Sequence, residues 1–223
     1  MVRVGVMKPD FRTRAVLGAG GLLAISALLA TGILWLTNWH AKPYIVENER
    51  IALLRSLNAV ISRDRYDNDP VTDSIGVDAS AITANQITSR IYRARKSGQN
   101  AGVAITAVAP DGYSGSIVLL VGIDYPGTLT GVRILSHHET PGLGDAIEED
   151  RSDWITKFTG RSRHNPEDAR WKVKKDGGDF MQFTGATITP RAVVKAIHAC
   201  LVFYDQHRGE LYDLKAGNSY KIR

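Results

Sequence analysis

Between Ala15 and Leu36 the chain carries no charged side chain and is rich in Leu, Ala, Ile and Gly. As a helix rising about 1.5 Å per residue, roughly 22 residues span the ~30 Å hydrocarbon core of a bilayer. A cleaved signal peptide is the alternative, but its apolar region runs to only about 7–15 residues, and no small-x-small cleavage site follows Trp35 and Trp39. The expectation is therefore a retained transmembrane helix over 15–36, in contact with the lipid bilayer. Arg3, Lys8, Arg12 and Arg14 precede it against Asp10 alone, whereas Lys42, Arg50 and Arg55 follow it among Glu47 and Glu49. That bias favours a cytoplasmic N-terminus, and Trp35, Trp39 and Tyr44 stand where aromatic side chains meet the far interface. In a bacterium the remainder would lie in the periplasm.

The 223 residues leave room for this anchor and one globular domain. The net charge of +5 does not point to nucleic acid, because the short tail before the span supplies +3 of it. The single Cys200 excludes an internal disulfide and reads as a buried helical side chain.

Periodicity divides the chain into a tail at 1–14, the span at 15–36, a stalk and linker at 37–80 and the domain at 81–223. Ile51, Leu54, Leu57 and Ile61 have helical spacing that could continue the span as a stalk. The polar stretch 62–80, with Asp64, Asp67, Asp69 and Pro70, reads as a loop. The spacing of Ile87 and Ile91 predicts a helix over 82–94, with Gly98 as its stop. Strand signals follow at 101–108, 116–123 and 129–135, separated by Pro110-Asp111-Gly112 and Pro126-Gly127 turns, and they imply an antiparallel meander. Ile147, Trp154, Ile155 and Phe158 fall on one helical face closed by Gly160, and 171–174 could add a strand. A last helix is expected to start at Thr189-Pro190. The fold class is α+β, an antiparallel sheet with helices packed against it.

Two stretches could carry chemistry. In Thr184-Gly185-Ala186-Thr187-Ile188-Thr189-Pro190, Thr189 is a natural N-cap and Pro190 suits the first helical position. Gly185 and Ala186 add no bulk, so a phosphate there could reach backbone N–H groups and the positive end of the helix dipole. Thr184, Thr187 and Thr189 all offer a hydroxyl to bond a phosphate or esterify it, and spacing does not choose among them. An elaborate helix cap with a loop of small residues is the commoner reading of the same residues. In His137-His138-Glu139-Thr140-Pro141-Gly142-Leu143-Gly144, the two glycines around Leu143 permit a tight turn against a flat ligand. As a metal site it is poor, since only His137 and Glu139 share a strand face and two ligands are too few. No metal is expected.

Together with Gly112-Tyr113-Ser114-Gly115 and the apolar N-terminus, these motifs resemble the G subunit of the Rnf electron transport complex. They resemble less closely the C subunit of the sodium-pumping NADH:quinone reductase. The resemblance covers nearly the whole chain and implies a domain that binds FMN covalently, through a phosphoester to Thr187. It implies that Glu139, Thr140, Leu143 and Gly144 lie against the flavin, with Thr184, Gly185 and Ala186 completing the cofactor site. No residue is expected to act as a catalytic base or nucleophile. The implied role is an electron-carrier subunit of a redox-driven, ferredoxin- and NAD-linked ion translocase in the bacterial inner membrane. Its implied partners are the other subunits of that complex, integral membrane subunits included, and a flavin transferase during maturation. A flavin-free assembly subunit is the alternative. The family's transferase recognises an Asp three residues before the first Thr of the element, where this chain has Met181; Asp179 lies two residues too early. An apolar thioether cannot replace a carboxylate.

Overall fold

The computed structural model describes residues 11–78, 82 and 88–221. Residues up to Ala52 and residues from Leu53 onward form two compact units. Helix α1, Phe11–Val60, runs unbroken through the apolar segment and the expected stalk. Among the described residues it is the one helix long and apolar enough to cross a membrane. Leu22, Leu23, Leu28, Leu29, Ile33 and Leu34 are all more than half exposed, an apolar surface that water would not tolerate at this extent. Ser26 and Thr37 turn their hydroxyls onto the carbonyls of Leu22 and Ile33, both at 2.8 Å, which satisfies them without water. Trp35 and Trp39 stack at 5.9 Å at the end of the apolar run.

The second unit is built on a six-stranded sheet: β1 Ser74–Asp78, β2 Thr88–Lys96, β3 Gln99–Ala109, β4 Ile117–Asp124, β5 Leu129–Ser136 and β6 Ser219–Tyr220. The spatial order is β5-β4-β3-β2-β1-β6, antiparallel except for β1 with β6. The expected meander is β3, β4 and β5, and the α+β class holds. Helix α2, Ile188–Asp213, packs on one face of the sheet. Along β4, Ile117, Leu119, Val121 and Ile123 face this helix side, whereas Leu120 faces the other, as the period of two requires.

On that other face the last turns of α1 dock through Leu57 and Val60, with Ile61 and Tyr66 following. Gly122 lets them approach: a Cβ there would stand 2.5 Å from the Val60 carbonyl oxygen. The Thr130 hydroxyl donates to the same oxygen, capping a helix end that has no further turn to bond. On β2, Arg93 is buried and donates to the Asp73 carboxylate and to the carbonyls of Leu211 (2.9 Å) and Leu214 (2.6 Å), tying the end of α2 to the sheet.

Several local expectations give way. From Thr88 the expected helix is strand β2; its 83–87 portion lies outside the described residues. A spacing of four satisfies a period of two as well as 3.6, so Ile87 and Ile91 could not decide between them. The polar stretch at 62–80 contains β1, whose Ile75, Gly76 and Val77 are buried between neighbouring strands. Ile147, Trp154, Ile155 and Phe158 are all buried, but on two short 3-10 turns rather than one helix. The 171–174 segment forms no strand, only a bridge of Val173 to Phe180. Its Trp171 instead joins Phe158, Phe180, Trp154 and Phe183 in a chain of ring contacts.

Candidate functional site

The aromatic chain anchors the segment that leads into the site. Phe183 packs edge-on against Trp154 at 5.2 Å, and the Trp154 indole N–H donates to the Met181 carbonyl at 2.7 Å. The segment entering the Thr-Gly-Ala-Thr element is thus held in place. The Ala186 N–H closes back onto the Phe183 carbonyl at 3.2 Å, and Gly185 between them has φ of +80°, which a residue with a Cβ would adopt only under strain.

Helix α2 starts at Ile188, so the N-cap position belongs to Thr187 rather than to Thr189. Thr187 makes no capping hydrogen bond with its side chain, which leaves the hydroxyl uncommitted at the positive end of a 26-residue helix. Thr189 lies fully buried inside the first turn, and its hydroxyl donates to the Glu139 carboxylate. That contact explains the displaced cap, because a group 50 residues away takes the hydroxyl that the local sequence offers to the backbone.

Glu139 is buried at 5% exposure and joins three segments. One oxygen accepts from Thr189 and the other from the Ser114 N–H at 3.0 Å, in the β3–β4 turn. The turn from Thr140 passes directly over it: the N–H groups of Leu143 and Gly144 donate to the Thr140 carbonyl at 3.1 and 3.0 Å. A Cβ on Gly144 would lie 2.8 Å from Glu139 and 3.0 Å from the Thr189 hydroxyl. Glycine is what allows these segments to meet. Behind them the Glu139 N–H donates to His137 Nδ1 at 3.0 Å, so the neutral ring carries its proton on Nε2, 3.0 Å from Glu148. His137 and Glu139 therefore face different partners and do not converge on a common point.

The segments enclose one cavity of about 360 Å³, lined by Tyr113, Glu139, Thr140, Leu143, Gly144, Gly185, Ala186, Thr187, Ile188 and Thr189. Its size falls in the ~300–1,000 Å³ range of small-molecule and cofactor sites. The structure thus brings together Glu139, Thr140, Leu143, Gly144, Gly185, Ala186 and Thr187. Thr184 is exposed and is not among the lining residues. Tyr113 and Ile188, unassigned from sequence, are on the wall; the Gly112-to-Gly115 turn held the clue to Tyr113. Asp179 is engaged by Arg170 at 2.8 Å, and Met181 is half exposed. Cys200 is buried away from the cavity lining, and burial pushes its thiol up to about 12.

Comparison with known proteins places these elements in context. The FMN-binding domain family matches residues 112–202, which include every residue lining the cavity, and the RnfG N-terminal region matches residues 7–60. The G subunit of the ion-translocating oxidoreductase complex of Aliivibrio fischeri is 44% identical over 193 residues, 86% of this chain and 92% of that protein. Its counterpart in Pseudomonas aeruginosa is 43% identical over 198 residues, covering 89% and 92%. That of Shewanella piezotolerans is 41% identical over 203 residues, covering 91% and 96%.

Proposed function

Because the chain belongs to the family of G subunits of ion-translocating oxidoreductase complexes and carries its FMN-binding domain, we propose that it relays electrons through FMN held in the cavity by a phosphoester to Thr187. The observation that carries this reading is the convergence of the 139–144 turn and the 185–189 element on one cavity, with the Thr187 hydroxyl uncommitted at the start of α2.

The residues present fit the group. First-turn N–H groups and the helix dipole favour a phosphate beside Thr187. Gly185 and Ala186 keep that approach open, and Leu143 and Ile188 offer apolar surface to a ring system. Bound there, FMN would supply reversible electron transfer, so the protein needs no general base or nucleophile. What the chain contributes is position. Thr187 fixes the phosphate end, and Glu139 fixes the three segments around it by accepting from Thr189 and Ser114. The ester also retains a cofactor that would otherwise diffuse from a domain outside the cytoplasm. We place that domain on the periplasmic side of the bacterial inner membrane, with α1 as a single-pass anchor. Its partners are the other Rnf subunits, integral membrane ones among them, and the route is ferredoxin- and NAD-linked.

The deciding measurement is the intact mass of the full chain made with the flavin transferase, followed by peptide mapping. Mass added on the Thr187 peptide, absent from Thr187→Val and kept in Thr184→Ala, supports the reading; an unmodified chain sinks the covalent attachment. The second reading, a flavin-free assembly subunit, draws on Met181, which stands exposed where the transferase would seek a carboxylate while Asp179 is held by Arg170. Met181→Asp separates the two. A rise in the flavin-loaded fraction would identify Met181 as the impediment.

A further inference from the structure

Tyr113 lines the cavity yet is 69% exposed, more open than the other large apolar side chains on its wall. A lone exposed tyrosine is ordinary. This one is accompanied by Leu143 at 46% and Ile188 at 44%, from two other segments of the same wall. Three large apolar side chains thus rim one opening, each leaving surface that a flat ring would cover.

The backbone holds Tyr113 at that rim. Its neighbour Ser114 donates its N–H to Glu139 at 3.0 Å. On the other side, a Cβ added at Gly112 would stand 2.9 Å from Glu139 and 2.2 Å from the Gly115 carbonyl. The turn is therefore seated on the same carboxylate that holds the first turn of α2. A ring anchored at Thr187 by its phosphate tail would extend from that turn towards the wall that Tyr113 borders.

We propose that Tyr113 stacks on the isoalloxazine and closes the open side of the flavin site. It binds cofactor directly, whereas Glu139 is a positioning residue whose oxygens are taken by protein donors. The inference rests on the reading that the cavity takes FMN, and its test keeps the two separable. Offset aromatic pairs strengthen association beyond area burial. A phenol in contact with an excited flavin also gives it one electron and takes it back, so emission is lost with no net chemistry.

The full chain in mild detergent, made without the transferase, is titrated with FMN, with binding read by equilibrium dialysis and emission read on the same samples. Wild type should bind FMN with emission quenched below the free cofactor. Tyr113→Phe keeps a ring but loses the electron-donating phenol, so emission should rise with affinity nearly unchanged. Tyr113→Ala should raise emission and weaken binding about 2- to 10-fold. Tyr113→Trp should remain quenched. Bound FMN as bright in wild type as in solution, or emission unchanged in both Tyr113→Phe and Tyr113→Ala, overturns the stacking while leaving the FMN site standing. Failure of wild type to bind free FMN overturns this inference, because a stacked ring would hold the cofactor without its ester; the covalent reading is decided separately by the mass of the Thr187 peptide. Tyr113 is exposed enough that its replacement should leave the fold intact, and tryptophan emission of each variant checks this.

Discussion

Glu139 and Thr189, 50 residues apart, should behave energetically as one unit. Glu139→Ala strips the acceptor from the buried Thr189 hydroxyl and the Ser114 N–H, at about 1–3 kcal/mol for each orphaned donor. Thr189→Val removes one hydrogen bond to a charged group, about 1.5–3 kcal/mol. Once the carboxylate is gone, however, the valine replaces a hydroxyl that had no acceptor, so its further cost should vanish or change sign. The double-mutant cycle should therefore return a coupling of about 1.5–3 kcal/mol or more. Urea titration of the flavin-free full chain in detergent, followed by tryptophan emission, measures each corner. Glu139→Gln should fall between wild type and alanine, because its amide oxygen can accept one donor while its NH2 confronts the other. Costs that add within about 0.5 kcal/mol would mean that the two groups do not bond in solution and that Glu139 does not hold the cavity together.

Three further outcomes follow from particular contacts. Arg93→Ala should destabilise the domain by about 1–3 kcal/mol for each of the Leu211 and Leu214 carbonyls it orphans, while Asp73 keeps its ion pair with Arg95 at 2.8 Å; urea midpoints of the full chain test this. Cys200 should resist thiol reagents at pH 8 until denaturant is added, and its pH linkage has a defined sign. Its stabilising contribution is whole below the unfolded thiol's pKa near 9 and is lost as pH rises towards about 12, which a stability profile over that window would reveal. Finally, the chain should stay with membranes through a high-salt wash and leave only with detergent; release by salt alone would refute a spanning α1.

The features legible in the sequence were those set by neighbours in the chain. The β3–β4–β5 meander followed from Pro-Gly and Asp-Gly punctuation between runs rich in Val, Ile and Leu, and α1 from the lack of charge over 15–36. The misread positions answered to distant residues. Strand β2 is buried on both faces, with Ile91 in one core and Tyr92 and Ala94 in the other, so it lacks the alternation that marks a half-buried strand. Thr189 has the local form of an N-cap, but Glu139 takes its hydroxyl. Trp171 and Val173 are residue types favoured in strands, yet Trp171 packs among aromatic rings and Val173 makes only a bridge to Phe180. Both site motifs were visible as separate stretches; that Tyr113 lies with them depends on a turn pinned by Glu139, which no periodicity encodes.

The sheet separates two tasks. The last turns of α1 rest on one face, seated at Gly122 and Val60, while α2 packs on the opposite face and presents its N-terminus to the cavity. The phosphate end of a cofactor would meet a fixed dipole and backbone donors, groups that cannot reorient when the cofactor's charge changes. Its ring end would meet Tyr113, Leu143 and Ile188, which are apolar and open to solvent at their edges. Such a division suits a carrier. Rigid polar contacts would set where a bound redox centre sits, and an open apolar rim would let electrons enter and leave without a large rearrangement of the protein around it.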